Sequence, residues 1–397
     1  MGAHKVCISR TSGGKVNIVN CLPDDWRQAT LIGRIAGSDG PTPVLVRHGR
    51  VLDISAHAPT TAQALGMSNL AQLDGVDLGA IDEMTFSTEW SDAGGIQLLS
   101  PLDLQCIKAS GVTFAVSALE RVIEERARGD ADTANVIRDG LKSRIGGDLK
   151  DLKPGSTEAE AVKTALISDG LWSQYLEVAI GPYAEIFTKA PVLASVGWGA
   201  AVGVRADSAW NNPEPEVVVI CDPDGQPVGA SLGNDVNLRD IEGRSALLLG
   251  KAKDNTASAA IGPFIRLFDD GFGMDDVRSA QVRLTVEGED GFKLEGESSM
   301  SLISRDPEDL IAQTLSSHQY PDGFALYLGT MFAPIEDRDA PGKGFTHKIG
   351  DRVRVSSERL GVLENVVTTC DRAPPWTMGV GGLMRNLAAR GLLGAST

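Results

Sequence analysis

The chain has 397 residues, 42% of them hydrophobic, which is enough for two domains or one domain with a large insertion, and for a sizeable core. It carries 53 acidic and 37 basic residues, a formal net charge of −16 at pH 7. Lys and Arg form no clustered run, and no apolar stretch reaches the roughly 18–20 residues of a membrane span. Both observations argue against nucleic acid and membrane partners, because such surfaces attract clustered positive charge.

The cysteines are odd in number, widely spaced and without a CxxC pair; they are Cys7, Cys21, Cys106, Cys221 and Cys370. This pattern predicts neither a disulfide framework nor a zinc site and favours a reducing, cytoplasmic compartment. The N-terminus lacks the apolar segment of a secretory signal. Residues 1–20 are predicted to be a disordered extension.

The next part of the chain predicts a small N-terminal domain over residues 21–95. Short strands are expected between Ala29 and Ser55, with a hairpin that turns at His48-Gly49, and a short helix near Thr61–Leu73. Ser-Asp-Ala-Gly-Gly at 91–95 breaks the pattern and marks a boundary. Residues 96–397 then form a second, larger domain.

Three helices are predicted in the first part of the larger domain: from Ser117, over about Thr133–Ile145, and over about Thr157–Gln174. Ser117 and Glu120 fit a capping box at the start of the first. Strands dominate from Glu177 onward, apart from a helix near Pro307–Ser316. Helices followed by a long strand-rich tract predict an α+β fold that is mainly β.

An acidic hairpin is the most informative local feature. The run Val217–Cys221 is β-branched and apolar, and Asp224-Gly225 is a strong two-residue turn signal. A turn centred there pairs residues whose numbers sum to 449, which sets Glu214 opposite Asp235 and Glu216 opposite Gly233. Three carboxylates then converge on one face, and we expect Gly233 to leave open space beside them.

Carboxylates about 5 Å apart repel by roughly 3 kcal/mol per pair at an effective dielectric near 20. Three oxygen donors without His or Cys suit a hard divalent cation, Mg²⁺ with Mn²⁺ as a substitute. A solvated acidic hairpin is the alternative interpretation. A three-residue loop at Pro223 is a second alternative, because it would slip the pairing by one residue.

Three further side chains are candidates for chemistry. Lys253, with Lys251 nearby, lies downstream of the hairpin, and a divalent cation would lower the pKa of such a lysine so that it could act as acid or base. Thr330 ends a strand-like run and could bind a substrate carboxylate. Glu120 could serve as acid or base. An exposed loop lysine, a strand-end threonine and a helix cap are the respective structural alternatives.

From about residue 98 the chain resembles the fumarylacetoacetate hydrolase superfamily. The resemblance is carried, in order, by Leu98-Leu-Ser-Pro-Leu102, Glu214-Pro-Glu216, Gly233-Asn-Asp-Val-Asn-Leu-Arg-Asp240, Gly262-Pro263, Gly329-Thr330, Lys348-Ile-Gly-Asp351 and Gly361-Val-Leu-Glu-Asn365. It implies a mixed β-sandwich roll as the catalytic domain, 96–397, behind a small N-terminal domain. It also implies a homodimer or homotetramer.

The resemblance implies roles for individual residues. Glu214, Glu216 and Asp235 would hold Mg²⁺. Counting nine residues back from Gly262 assigns the catalytic lysine to Lys253, with a two-residue slip to Lys251 as the alternative. Thr330 would contact the substrate. Two further residues are assigned to substrate binding, Ser117 and Lys189, the latter near the mouth of the site.

The segment Gly111–Glu120 lacks the His that hydrolases of this superfamily usually carry, which weakens a C–C bond hydrolase assignment. The sequence of this segment, together with Asn211-Asn-Pro-Glu-Pro-Glu216, is similar to that of the sugar-acid branch of the superfamily. That likeness implies a lyase that dehydrates a 2-keto-3-deoxy-pentonate, a small-molecule substrate. The alternatives are a hydrolase of acylpyruvates or 2,4-diketo acids on the same metal, and a protein that binds metal and keto acid without turnover.

Overall fold

A computed structural model describes residues 9–10, 16–90, 95–115, 117–119, 122–123, 137, 152–332, 334, 336–339 and 344–393. Strands dominate it. The strands are β1 Ser9–Arg10, β2 Val16–Asn17, β3 Leu31–Gly37, β4 Gly40–Arg47, β5 Arg50–Asp53, β6 Val76–Ala80, β7 Thr85–Ser87, β8 Ile96–Leu99, β9 Cys106–Gly111, β10 Glu185–Ala190, β11 Ala201–Val204, β12 Asn211–Asn212, β13 Pro215–Cys221, β14 Pro227–Asp235, β15 Asn237–Leu238, β16 Ala259–Leu267, β17 Gln281–Glu287, β18 Lys293–Ser299, β19 Phe324–Tyr327, β20 Arg352–Ser357 and β21 Gly361–Thr369.

In the part of the chain that the structure describes, helices are fewer than strands, although the longest helix exceeds any strand in length. The α-helices are Thr61–Leu65, Thr157–Ser168, Gln174–Ile180, Arg239–Glu242, Leu249–Lys253, Met274–Ser279, Pro307–Leu315 and Val380–Ala389. None of these helices combines the length and the apolar composition needed to cross a bilayer. The α+β, mainly β prediction is therefore confirmed.

Two sheets form the body of the molecule. The larger has 14 strands, and its main path runs β1-β2-β7-β8-β3-β16-β14-β13-β19-β9-β10, with β4, β5 and β6 branching from β3. The smaller runs β11-β21-β20-β17-β18. Most neighbours are antiparallel, but β19 pairs with β9 in parallel, so the large sheet is mixed.

The central strand β13 explains how the two sheets share a core. Val217 and Val219 pack into one cluster with residues of the smaller sheet, including Val353 and Leu363. The alternating residues Val218 and Ile220 pack into a second cluster on the opposite face. Because both faces are covered, the strand reads as a continuous apolar run in the sequence.

Several predicted elements have the expected positions. The hairpin at His48-Gly49 is present, with Arg47 paired to Arg50 and positive φ angles of 50° and 75° at the two turn residues. The helix predicted near Pro307–Ser316 spans Pro307–Leu315. The helix predicted near Thr61–Leu73 ends at Leu65 and is followed by a 3₁₀ turn, Leu70–Gln72.

The helix predicted over Thr157–Gln174 is two helices. Gly170 has φ 65°, and its N–H and that of Leu171 bond back to Ile167 and Leu166, which closes the first helix as a Schellman motif. Ser173 then caps the second helix by accepting from Leu176 N. The helix predicted over 133–145 lies outside the described residues.

The N-terminal segment needs two corrections. Val16–Asn17 pairs with β7 and Ile18 is fully buried, so residues 16–20 are ordered rather than part of a disordered extension. Cys106, Cys221 and Cys370 are free thiols as predicted, whereas Cys21 is disulfide-bonded.

The strand β3 bonds directly to β16, so strands from both predicted domains share one sheet. The boundary near residue 95 stays a prediction.

Candidate metal centre

The acidic hairpin is formed by β13 and β14 in the predicted register. Glu216 pairs with Gly233 and Pro215 with Asn234, and Asp235 N donates to Glu214 O at 3.0 Å. A register shift lies between Ile220 and Cys221, next to the turn. This bulge absorbs the irregularity that Pro223 introduces, so the acidic end of the hairpin does not slip.

The hairpin brings three carboxylates together. One oxygen from each of Glu214, Glu216 and Asp235 lies within 4.8 Å of the others. Glu216 and Asp235 are each 2% exposed, and Glu214 is partly buried. Within the described ranges no other group of three His, Cys, Asp or Glu side chains is this close. An all-oxygen set of this kind is able to hold a hard divalent cation.

Gly233 does not leave open space, contrary to the prediction. A Cβ at this position would lie 2.3 Å from Tyr327 Cε1 and 2.6 Å from Val218 Cγ2. The ring of Tyr327 fills the room that the glycine provides, and its hydroxyl donates to Ala260 O at 2.7 Å. The glycine therefore permits close packing behind the carboxylates.

Glu216 is held by the backbone after β19. Gly329 N donates to Glu216 Oε2 at 2.6 Å. Gly329 has φ 88°, and a Cβ there would lie 2.2 Å from Thr113 Oγ1, so the position requires glycine on two grounds. Burial and the charges of Asp235 and Glu214 raise the pKa of Glu216 well above its ordinary value.

Lys253 faces the carboxylates from the end of the helix Leu249–Lys253. Its Nζ donates to Glu214 Oε2 at 2.5 Å and to Asp235 Oδ2 at 2.9 Å. Lys251, the alternative, is exposed. Burial by itself lowers the pKa of Lys253, but Asp235, Glu214 and Glu242 outweigh burial and hold it well above its ordinary value. Without a cation, these carboxylates thus keep Lys253 as an ammonium group. The lower pKa of Lys253 that is expected from a bound cation would require the charge of that cation to outweigh them.

Lys189 is not near the mouth of the site, which corrects its predicted place. Its side chain is fully buried behind Asp235, with Nζ 2.7 Å from Asp235 Oδ1 and 3.2 Å from Val236 O. It also donates to Lys253 O. Burial and the like charge of Lys253 lower the pKa of Lys189 despite the attraction of Asp235. The geometry suits a residue that holds Asp235 in place, not one that touches a ligand.

The pKa values of the other two carboxylates shift in opposite directions. Burial raises the pKa of Glu214, with a further contribution from Asp235, against the attraction of Lys253. Burial would also raise the pKa of Asp235, but Lys189 and Lys253 outweigh it and hold that pKa below its ordinary value. Two of the three buried carboxylates, Glu214 and Glu216, therefore have raised pKa values, and a bound cation would stabilise their charged forms.

One cavity collects most of the predicted site residues. Its lining includes all three carboxylates together with Ser117, Lys253 and Thr330. Further lining residues are Ser110, Gly111, Val112, Phe114, Ala118, Glu185, Phe187, Glu242, Leu249 and Gly329. Ser117 and Thr330 are half-buried. Glu120 lies outside the described residues, so its assigned role stays a prediction, as do the roles of the other residues.

Two neighbours of the site were missed by the sequence analysis. Asn237 is 2% exposed and donates from Nδ2 to Glu214 Oε1 at 2.9 Å and to Glu242 Oε2 at 2.7 Å. Glu242 lines the cavity itself. The only signal in the sequence was position, because Asn237 lies within the Gly233–Asp240 stretch that carries the family resemblance.

Comparison with known proteins finds similarity to sugar-acid dehydratases. No family model matches it. It is 30% identical over 195 residues to a probable 2-keto-3-deoxyxylonate dehydratase of Haloferax volcanii, covering 49% of this chain and 64% of the relative. It is 32% identical over 179 residues to a 2-dehydro-3-deoxy-D-arabinonate dehydratase of Saccharolobus solfataricus, covering 45% of this chain and 57% of the relative. The chain therefore matches less than two thirds of either relative.

The fold is shared more widely than the sequence. A structure of 2-keto-3-deoxy-D-arabinonate dehydratase complexed with magnesium and 2,5-dioxopentanoate superposes with a TM-score of 0.61 over 86% of this chain and 99% of the other, at 22% identity. This likeness confirms the predicted fold class. The chain is thus similar in sequence to two 2-keto-3-deoxy-pentonate dehydratases and shares the fold of a solved 2-keto-3-deoxyarabinonate dehydratase.

Proposed function

We propose that this chain is a Mg²⁺-dependent hydro-lyase that dehydrates 2-keto-3-deoxy-D-pentonate to 2,5-dioxopentanoate, the semialdehyde of 2-oxoglutarate. The observation that carries the proposal is the convergence of Glu214, Glu216, Asp235 and Lys253 at one cavity. Support comes from the two dehydratases that are 30% and 32% identical. The dehydratase that shares the fold was solved as a complex with magnesium, which is consistent with the proposed cation.

The residues present fit the proposed cation. Glu214, Glu216 and Asp235 would hold it, because all three offer carboxylate oxygens and the buried cluster lacks enough positive charge to relieve Glu216. When bound, a divalent cation polarises the C1 carboxylate and C2 carbonyl of a 2-keto acid and so acidifies the C3 proton. Mn²⁺ shares these ligand preferences and is expected to substitute.

The side chains that would act on the substrate surround the carboxylates. Lys253 carries an amino group that could take the C3 proton once it is deprotonated; Glu120 is the alternative base. Thr330 Oγ1 accepts from Phe332 N at 3.1 Å, which leaves its O–H to donate to the substrate carboxylate. Ser117 faces the same cavity. Lys189 holds Asp235 from behind.

The proton inventory of the reaction is simple. The C3–H bond breaks, and the C4 hydroxyl leaves with one proton as water. These two losses form a C3=C4 double bond conjugated to the C2 carbonyl. A proton then leaves C5 and one is returned to C3, which gives a C4=C5 enol, and transfer of the enol O–H proton to C4 gives the C5 aldehyde. The chain therefore has to accept a proton from carbon twice and return one each time, first to the leaving hydroxyl and then to C3, which a lysine or carboxylate beside the substrate is able to do. Glu242 and Lys253 are both in the cavity lining.

We further propose a homodimer or homotetramer, because the resemblance implies oligomers. The cytoplasmic location we propose rests on the free thiols of Cys106, Cys221 and Cys370, whereas the disulfide-bonded Cys21 argues against a reducing compartment.

A coupled assay tests the function. Purified protein is incubated with 2-keto-3-deoxy-D-arabinonate and an NAD(P)-linked semialdehyde dehydrogenase, with Mg²⁺, with EDTA, and with EDTA followed by excess Mg²⁺. We expect cofactor reduction that EDTA abolishes and Mg²⁺ restores. Absence of reduction with Mg²⁺, together with acid release from an acylpyruvate, would show the hydrolase instead.

A further inference from the structure

A side-chain amide bridges two carboxylates at the edge of the candidate metal centre. Asn237 Nδ2 lies 2.9 Å from Glu214 Oε1 and 2.7 Å from Glu242 Oε2. The two hydrogens of the amide are thus divided between the two acids. Both neighbours are acceptors when ionised, so only the NH₂ end of the amide can face them, and this fixes the side-chain orientation.

The bridge determines which oxygen of Glu214 remains available. Oε1 is occupied by Asn237, whereas Oε2 faces the cluster and accepts from Lys253 at 2.5 Å. The backbone of Glu214 is held as well, because Glu214 N donates to the side-chain oxygen Oδ1 of Asn234 at 3.1 Å. Glu214 is therefore presented through one defined oxygen.

The same amide separates two like charges. The charge of Glu242 contributes to the raised pKa of Glu214, so the two acids interact. Asn237 lies at the start of β15 and Glu242 at the end of the following one-turn helix, which places both near Glu214 without a covalent constraint between them. Without the donor, the two carboxylates would face each other across a partly buried gap.

We propose that Asn237 is a positioning residue: it presets Glu214 to bind the cation through Oε2 and keeps Glu242 from competing for it. The inference rests on the metal site of the proposed function. Hydrogen-bond partners of metal ligands typically contribute a factor of about 10–100 in metal affinity. We therefore expect Asn237→Ala to weaken Mn²⁺ binding by about tenfold or more.

The test measures Mn²⁺ affinity by calorimetry on the full chain without substrate, so it does not depend on turnover. Asn237→Ala is compared with wild type, with Asn237→Ser, which retains one donor, and with Asn365→Ser. Asn365 is 1% exposed and also divides its amide hydrogens, between Gly197 O and Ala200 O, away from the carboxylates. The control should lower the melting temperature and leave Mn²⁺ affinity unchanged.

A double variant separates positioning from a structural effect. In Asn237→Ala/Glu242→Gln the charge of Glu242 is gone and its amide is able to donate to Glu214, so affinity should recover in part. Recovery, with Asn237→Ser intermediate, supports the proposal. Unchanged affinity in a folded Asn237→Ala or Asn237→Ser chain, or a loss that Glu242→Gln does not relieve, overturns it. If wild type bound no Mn²⁺, the metal site would fail and the inference with it; if wild type bound Mn²⁺ without dehydrating the sugar acid, only the proposed reaction would fail.

Discussion

Lys189 Nζ lies 2.7 Å from Asp235 Oδ1, and both side chains are almost completely buried. The second oxygen of Asp235 accepts from Lys253, so a single carboxylate is held between two ammonium groups. This arrangement joins β10, β14 and the helix before β16 at one point. The ligand set of the candidate metal centre is consequently part of the packing of the large sheet.

Replacing Lys189 by Met should destabilise the fold strongly. Breaking a buried ion pair typically costs about 3–5 kcal/mol. Lys253 still contacts Asp235 in the variant, so we expect a loss at the lower end of that range. Urea unfolding measures the free energy of unfolding. Lys108→Met is the matched control, because Lys108 lies on the neighbouring strand and its Nζ donates to Thr188 in an exposed setting. We expect that control to change stability by less than about 0.5 kcal/mol. Equal effects of the two variants would contradict the structural role of Lys189.

Asp235→Asn should lower activity most at limiting Mg²⁺. The substitution removes one carboxylate ligand, so the Mg²⁺ concentration for half-maximal activity should rise by about tenfold or more, and excess Mg²⁺ should restore part of the rate. The measurement is the coupled assay over a range of Mg²⁺. Asp224→Asn, at the exposed turn of the same hairpin, is the control and should titrate like wild type. Full activity of Asp235→Asn at limiting Mg²⁺ would falsify the metal site.

Gly329→Ala should impair both folding and the position of Glu216. The alanine would have to adopt φ 88°, and its Cβ would lie 2.2 Å from Thr113 Oγ1. The backbone N–H of the same residue donates to Glu216, so a shift of the backbone would also move that contact. Gly291→Ala is the control, since Gly291 has φ 82° and open space around it. Left-handed strain alone costs about 1–2 kcal/mol, so Gly329→Ala should lose clearly more stability in urea unfolding. An equal loss in both variants would show that the clash with Thr113 is relieved cheaply.

The buried His347 should make stability fall on the acid side of neutrality. Burial lowers its pKa, aided by Arg338, and the hydrogen bond to Asp351 does not reverse this. The folded pKa is therefore below the unfolded value of about 6.5. Between the two values the unfolded chain binds more protons, so this contribution is complete above about pH 6.5 and is lost as pH falls below it.

His347→Gln tests this titration. Unfolding free energies measured in urea from pH 5 to pH 8 should show a shallower acid-side decline than in wild type. His57→Gln is the control, because His57 is exposed. Parallel pH profiles for wild type and His347→Gln would mean that other groups, Asp351 included, account for the acid sensitivity.

The register of the acidic hairpin was predictable because its determinants are local. A β-branched run, an Asp-Gly turn and the two-residue period of a strand together set Glu216 opposite Gly233. The same locality made the His48-Gly49 hairpin predictable. The single helix predicted over Thr157–Gln174 was wrong, because the turn at Gly170 divides it into two helices and the helical pattern did not reveal that turn.

By itself the sequence predicted the three carboxylates and their shared face, and the family resemblance implied Lys253, nine residues before Gly262. Only the tertiary structure decided what surrounds them. Tyr327 fills the space beside Gly233, Gly329 N holds Glu216, and Lys189 lies behind Asp235 instead of at the mouth. These contacts join segments about 50 to 110 residues apart, and strand periodicity carries no information about which side chain another strand will supply.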